Sequence, residues 1–303
     1  MGGAVTVVAV VGPTATGKSD LGVALARELG GEIVNADAMA LYRGMDIGTA
    51  KLPAAGRFGV PHHLLDVLDV RDEASVEAYQ GQARAAIDDI AGRGGVAVVV
   101  GGSGLYVSAA LDRLDIPPTD PQVRAALEAQ AADQGAARMH QRLVLADPVA
   151  AAAILPGNVR RVVRALEVVE LTGRPFVASL PAPTYLRPTC VIALDAPREV
   201  LAERIDRRVR AMWAAGLLDE VAALDAAGLR EGRTASRAVG YLQALGQLDG
   251  DLTQPQAQDE TARLTRRLAR RQRSWFGRDA RVTWLPHDAP DLLQRAIAAV
   301  RAR

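Results

Sequence analysis

The sequence predicts an α/β protein with a mostly parallel sheet, into which a small all-helical domain is inserted. Three observations carry this. Short apolar, β-branched runs alternate with helical patterns, and the crossovers between them are long enough to bring the next strand in parallel. The first run, Val5 to Val11, leads through a glycine loop straight into a helical pattern. From Pro121 to Gly173, within the insertion Ile116–Arg187, the pattern is helical and holds no strand.

The first unit sets the chemistry. Val5 to Val11 has the composition of a strand buried on both faces. Gly12, Pro13, Thr14, Ala15, Thr16, Gly17, Lys18 and Ser19 then fit G-x-x-x-x-G-K-[ST]. Leu21, Ala24, Leu25 and Leu29 follow at helical spacing, ended by Gly30-Gly31. Strand, glycine loop and helix in this order define a P-loop NTPase-like core. Glycines let the backbone wrap phosphate oxygens, and N–H groups at a helix N-terminus face the anion. Lys18 adds a positive charge, and Ser19 offers a hydroxyl to a phosphate-bound Mg²⁺. The motif specifies a di- or triphosphate, with ATP the obvious guest, and does not say what is done to it.

Further strands are expected at Glu32–Asn35, Val96–Val100, Thr189–Leu194 and Val282–Leu285. Helices are expected near Ser75–Ala91, Leu105–Leu111, Pro197–Ala214, Leu217–Ala227 and Pro290–Arg301. Thr253-Gln-Pro-Gln256 has the form of a capping box opening a long helix to about Trp275. Asp120 with Pro121 reads as an N-cap and first helical residue. The division is a P-loop α/β core, 1–115 and 188–303, around a helical insertion, 116–187. Leu180 to Pro188, proline-rich, closes the insertion. In parallel α/β sheets ligands bind at the C-terminal strand ends. The glycine loop, Asp37 and Gly101–Gly104 all fall there.

Composition excludes several classes. The chain has 303 residues, is 49% hydrophobic and carries a net charge of +1, so its overall field says nothing about partners. The single Cys190 rules out an internal disulfide and a cysteine-based zinc site. No apolar run is long enough to span a membrane. The apolar N-terminus lacks a basic lead, and the myristoylation pattern at Gly2 is better read as a lead-in to the first strand. A cytoplasmic, monomeric enzyme is the expectation.

Among chemical candidates Asp37 comes first, because the Val96–Val100 strand ends in Gly-Gly-Ser-Gly without an acid. Asp37 can hold metal through water, act as a general base, or cap a turn. Ser103 can donate to a phosphate oxygen or serve the turn. His62-His63 has no metal-ligand spacing and reads as structural or as loop polar contacts. Arg160, Arg161 and Arg164 share a helix face. Arg263, Arg266, Arg267, Arg270 and Arg271 recur at i, i+3, i+4, i+7, i+8, with Leu264, Leu268 and Trp275 on another face for the core. No acid lies between Arg263 and Arg278, which favours a nucleic-acid backbone over a solvated face.

These segments together resemble bacterial tRNA dimethylallyltransferases, over about Val7 to Leu285. The motifs are GPTATGKS, NADAMALYRGMDIGTAK, VPHHLLD, VVVGGSGLY, NVRRVVRALEV, SRAVGYLQ and RRLARRQRSWF. The resemblance implies transfer of the dimethylallyl group of dimethylallyl diphosphate to the exocyclic amine of the adenosine just 3′ of the anticodon, with pyrophosphate leaving. It implies Mg²⁺ at Ser19, Asp37 as base, and Ser103 and Arg237 with Lys18 on the leaving group. It further implies tRNA contacts through Asp37, Ala38, Met39, Ala40, Ser103, Arg124, Arg160, Arg161, Arg164, Gln243, Arg267, Arg271 and Gln272. Family members often have Asp-Ser-Met-Gln where this chain has Asp37-Ala38-Met39-Ala40, and usually Thr at Ser103. No zinc finger follows Leu285, as in bacterial members. Two other readings compete: a P-loop small-molecule kinase using ATP, and a non-enzymatic RNA-binding nucleotide switch.

Overall fold

A computed structural model describes residues 5–177 and 182–303. The Gly2 pattern and Leu180-Pro181 of the closing segment lie outside the described residues. The elements in chain order are β1 Val7–Val11, α1 Lys18–Leu29, β2 Glu32–Asn35, β3 His62–His63, α2 Val76–Gly92, β4 Ala97–Val100 and α3 Gly104–Leu111. The helices α4 Pro121–Gln134, α5 Ala136–Ala146, α6 Pro148–Ala153 and α7 Val159–Thr172 follow. The chain ends with β5 Thr189–Asp195, α8 Arg198–Ala214, α9 Leu217–Ala226, α10 Tyr241–Leu248, α11 Gln254–Phe276, β6 Val282–Pro286 and α12 Leu292–Arg301.

All six strands join one parallel sheet in the order β3-β2-β4-β1-β5-β6. The order places β1 between β4 and β5, so every residue of β1 is buried, which is why its sequence is an unbroken Val/Ala run. Each such valine contributes roughly 1.5–3 kcal/mol on burial. On one face of the sheet Leu21 and Leu25 of α1 pack with Ile33, Val98, Ile192 and α12's Val300. A second core gathers Tyr42, Met45, Ile205, Trp213, Leu217, Tyr241 and Ala269.

The chain divides into two compact units. One comprises Met1–Ala74, Ala78–Leu111 and Tyr185–Arg303; the other comprises Ser75–Glu77 and Asp112–Thr184. The second unit is built on Leu127, Met139, Leu143, Ile154, Val162 and Leu166. The side chain of Asp120 accepts hydrogen bonds from the Gln122 and Val123 amides, with Pro121 at the first helical position. At its centre Glu167 is fully buried. It accepts from Arg124 Nη2 (2.5 Å), Arg164 Nη1 (2.7 Å), Thr119 Oγ1 and the Asp120 amide (both 3.0 Å). Burial raises the Glu167 pKa, but the two arginines and the amide outweigh it and hold the carboxyl below its usual range. Arg124 and Arg164 therefore stabilise this unit from within.

Three sequence expectations change here. His62-His63 keeps its structural reading, with polar contacts to the Val60 carbonyl and Glu32, but it is an edge strand rather than a loop, because both residues pair in register with Ile33 and Val34; two residues are too few to show a period. The α10 helix has no counterpart among the expected helices. On α11 the buried face is Ala257, Thr261, Ala262, Ala269, Gln272 and Phe276, not the Leu264–Leu268–Trp275 face. Trp275 is 38% exposed, and its ring lies against Gly104, where a Cβ would meet Cδ1 at 2.4 Å.

Candidate active site

The phosphate loop leaves β1 at the C-terminal edge of the sheet. Thr16 Oγ1 and Lys18 Nζ both donate to the Pro13 carbonyl, at 2.8 and 2.6 Å. Ala15 adopts a left-handed backbone (φ 66°), a non-glycine strain of about 1–2 kcal/mol held at the centre of the loop. The Thr14 amide donates to Gln272 Oε1 of α11 at 2.8 Å, so α11 fixes the loop from outside.

Asp37 leaves the end of β2. Its own amide donates to Asn35 Oδ1 and its Oδ1 accepts from the Met39 amide, both at 3.0 Å. The cap reading is thus realised by one carboxylate oxygen, and the other is left over. The Asn35 amide group holds the Asp37 and Leu64 carbonyls, each at 2.9 Å. Beyond β4, Gly101 packs so tightly that a Cβ there would lie 2.2 Å from the Ala36 carbonyl oxygen. Any side chain at Gly101 would push the loops of β2 and β4 apart. Ser103 Oγ accepts from the Ala38 amide at 3.3 Å, leaving its own hydroxyl hydrogen available.

These loops line one cleft of about 520 Å³, with Thr14, Ala15, Gly17, Lys18, Ser19, Asp37, Ala40, Gly101 and Gly102 in its wall. The opposite wall is the α8 helix with Arg204, Arg207 and Arg208, which carries no mark in the sequence, and the loop Thr49–Leu52, which begins inside the MDIGTAK motif. Arg208 donates from Nη1 to Thr14 Oγ1 (3.2 Å) and from Nη2 to the Thr49 carbonyl (3.1 Å). Both acceptors are neutral. Burial lowers the Arg208 pKa, with the nearby Asp37 charge opposing the shift. Lys18 falls to about 8, chiefly by burial; Asp37 pulls it up and Arg208 pushes it down. Two desolvated cations beside the Asp37 carboxylate make a cleft that attracts an anion. No signal in α8 distinguishes Arg208 from its neighbours Arg204, Arg207 and Arg210, because only the fold brings it over the loop.

The other candidates fall in several places. Arg237 ends a short 3₁₀ turn, is exposed and does not line the cleft; the arginine the cleft does hold over the loop is Arg208. Gln243 is buried and accepts from the Gly240 amide at 2.9 Å. Gln272 is buried on the loop side of α11 rather than on its exposed stripe. Arg160, Arg161, Arg263, Arg267, Arg270 and Arg271 are exposed. The stripe is not without acids, as the sequence suggested. Arg263 pairs with Glu260, Arg266 with Asp206 of α8, and Arg273 with Asp195 at the end of β5. Glu260 lies one turn before Arg263 on α11, whereas Asp206 and Asp195, distant in sequence, come close only in the fold. Arg267, Arg270 and Arg271 show no acidic partner among the described residues.

Fold and site together define a phosphate-loop α/β protein whose cleft carries the desolvated cations Lys18 and Arg208. The family model for IPP transferase matches residues 40–279, and the chain belongs to that family. It is 64% identical over 293 residues to the tRNA dimethylallyltransferase of Kineococcus radiotolerans, covering 95% of this chain and 92% of that protein. The tRNA isopentenylpyrophosphate transferase of Bacillus halodurans superposes with a TM-score of 0.72 at 40% identity, covering 98% of this chain and 95% of that one. A eukaryotic dimethylallyltransferase, solved acting on tRNA, gives 0.81 at 26% identity over 97% of this chain and 78% of that one. The family places the chain with prenyl transferases rather than with phosphate-loop kinases.

Proposed function

We propose that the chain is a tRNA dimethylallyltransferase, carrying the dimethylallyl group from dimethylallyl diphosphate to the exocyclic amine of the adenosine 3′-adjacent to the anticodon. The single observation that supports this best is the cleft, where Lys18 and Arg208 face a phosphate loop with Asp37 beside them at the end of β2. The loop amides, Lys18 and Arg208 bind the diphosphate, and their charge matches what builds on it as it leaves. The amine nitrogen attacks C1 of the allyl group. The C1–O bond breaks, pyrophosphate departs with the electron pair, and the amine proton passes to Asp37. The Ser103 hydroxyl, next in sequence to the cleft residues Gly101 and Gly102, accepts from the Ala38 amide and keeps its hydrogen to donate to the leaving group.

Mg²⁺ fits the Ser19 hydroxyl, which is exposed at the cleft. Among the described residues no cluster of three acidic, histidine or cysteine side chains could hold a metal by itself, so Ser19 would hold Mg²⁺ together with a bound diphosphate. The ion would supply positive charge to the leaving group there. The target base must leave its stack to be alkylated, and the exposed Arg267, Arg270 and Arg271 supply phosphate contacts to the anticodon stem-loop. The protein acts as a monomer in the cytoplasm. No helix among the described residues is long and apolar enough to cross a membrane.

Incubation with bulk tRNA and either allyl-labelled dimethylallyl diphosphate or γ-labelled ATP tests the reading. Label from the allyl donor should enter a nucleoside, recovered after digestion of the tRNA. Incorporation from ATP alone would overturn it in favour of a kinase.

A further inference from the structure

Of two segments singled out by the sequence, YRGMDIGTAK lines the cleft through Thr49, Ala50 and Lys51, and SRAVGYLQ does not line it. Their relation to it runs through Glu220 in the first turn of α9. Glu220 Oε2 accepts from the Asp46 amide (3.1 Å) and the Ile47 amide (2.8 Å), and Oε1 accepts from the Gly48 amide (3.3 Å). The Tyr241 hydroxyl donates to Oε1 at 2.6 Å. Three consecutive backbone donors and a phenol thus converge on one carboxylate.

Close packing reinforces this. A Cβ on Gly48 would lie 2.4 Å from Cε2 of the Tyr241 ring, so the loop rests on the ring with no room for a side chain. From that anchor the chain turns through Ala50, left-handed at φ 50°, whose amide donates to the Ile47 carbonyl at 3.0 Å. The turn presents the Thr49 carbonyl to Arg208 Nη2, while Nη1 of the same guanidinium holds Thr14. Glu220 itself does not line the cleft.

We propose that Glu220, with Tyr241, is the positioning residue that sets the Arg208 guanidinium over the phosphate loop, acting through the Asp46–Thr49 backbone. The inference rests on reading the cleft as a diphosphate site. A carboxylate is required because all four of its partners donate. An amide in its place turns an N–H₂ group toward an N–H in either orientation, so the loop must shift and the Thr49 carbonyl shifts with it.

The test is titration calorimetry of the full-length protein with Mg²⁺ and inorganic pyrophosphate, alongside transfer kinetics. Glu220→Gln should bind pyrophosphate about tenfold more weakly. Its KM for dimethylallyl diphosphate should rise similarly, with the KM for tRNA held within about twofold. Tyr241→Phe, which keeps the ring under Gly48, should show a smaller loss of about threefold. The double variant Glu220→Gln/Arg208→Ala should bind no more weakly than Arg208→Ala alone, because the first residue acts through the second. Additive losses, or unchanged affinity in a folded Glu220→Gln, would overturn the inference. If Glu220→Gln does not fold, the Tyr241→Phe/Arg208→Ala cycle probes the same coupling: a non-additive loss supports it and an additive one overturns it. Failure of the wild-type protein to bind pyrophosphate would instead remove the diphosphate reading of the cleft.

Discussion

Replacing Arg208 with Met separates function from stability in a way the structure quantifies. In the free protein the guanidinium spends two donors on neutral oxygens, Thr14 Oγ1 and the Thr49 carbonyl, and carries a desolvation penalty that lowers its pKa. Losing two neutral hydrogen bonds costs about 1 kcal/mol each. Relieving a half-buried cation beside Lys18 offsets much of that. The net change should lie within about 1 kcal/mol, or roughly 3 °C in the ligand-free melting temperature. Toward a diphosphate the same side chain makes charge-assisted bonds worth about 1.5–3 kcal/mol each. Losing two of them lowers kcat/KM for the allylic donor by about 10²–10⁴-fold. Steady-state kinetics with saturating tRNA, together with scanning calorimetry with and without pyrophosphate, reads both quantities. Arg210→Met is the control, since Arg210 is exposed on the same helix and does not line the cleft. Activity within about threefold of wild type would refute the assignment of Arg208. So would a loss matched by general destabilisation.

Asp37→Asn keeps an oxygen to cap the Met39 amide but cannot accept the amine proton; transfer should fall by about 10²–10⁴-fold in a single-turnover assay while tRNA affinity holds. Arg267→Ala with Arg271→Ala should weaken tRNA binding and reduce the slope of log affinity against log salt by about 2, measured by filter binding across salt concentrations. Hydrogen bonds from Arg93 and His63 hold the Glu32 carboxyl down to about 2, below its unfolded value of 4.5. Its stabilisation is therefore fully present above pH 4.5 and is lost as pH falls from there toward 2. Solvent screens a pair whose arginine is half exposed, so about 1 kcal/mol is expected. Acid unfolding of Glu32→Gln should show correspondingly less loss over that window.

Local signals make much of this protein legible. The β1 strand and its glycine loop can be read because an all-buried parallel strand and a phosphate loop each require a contiguous run of particular residue types. The Asp120–Pro121 start of α4 and the Thr253–Gln256 box of α11 are legible for the same reason, since a cap satisfies amides only two or three residues away. The two-residue strand at His62-His63 is not, because its pairing with Ile33 and Val34 is set by a strand 29 positions upstream rather than by its own pattern.

The electrostatics of the cleft belong to the tertiary structure. Arg208 lies 190 residues from Lys18 in sequence, among arginines of the same helical stretch, and only the packing of α8 against the first loop selects it. The same holds for Glu220 and for the acids that answer Arg266 and Arg273. Charge interactions depend on distance and burial, which sequence spacing encodes only within one helix or turn. The sequence by itself therefore determined the phosphate loop, the sheet strands of ordinary length and the catalytic candidate Asp37. The fold decided which arginine completes the anion site, and which arginines of the α11 stripe remain without an acidic partner among the described residues.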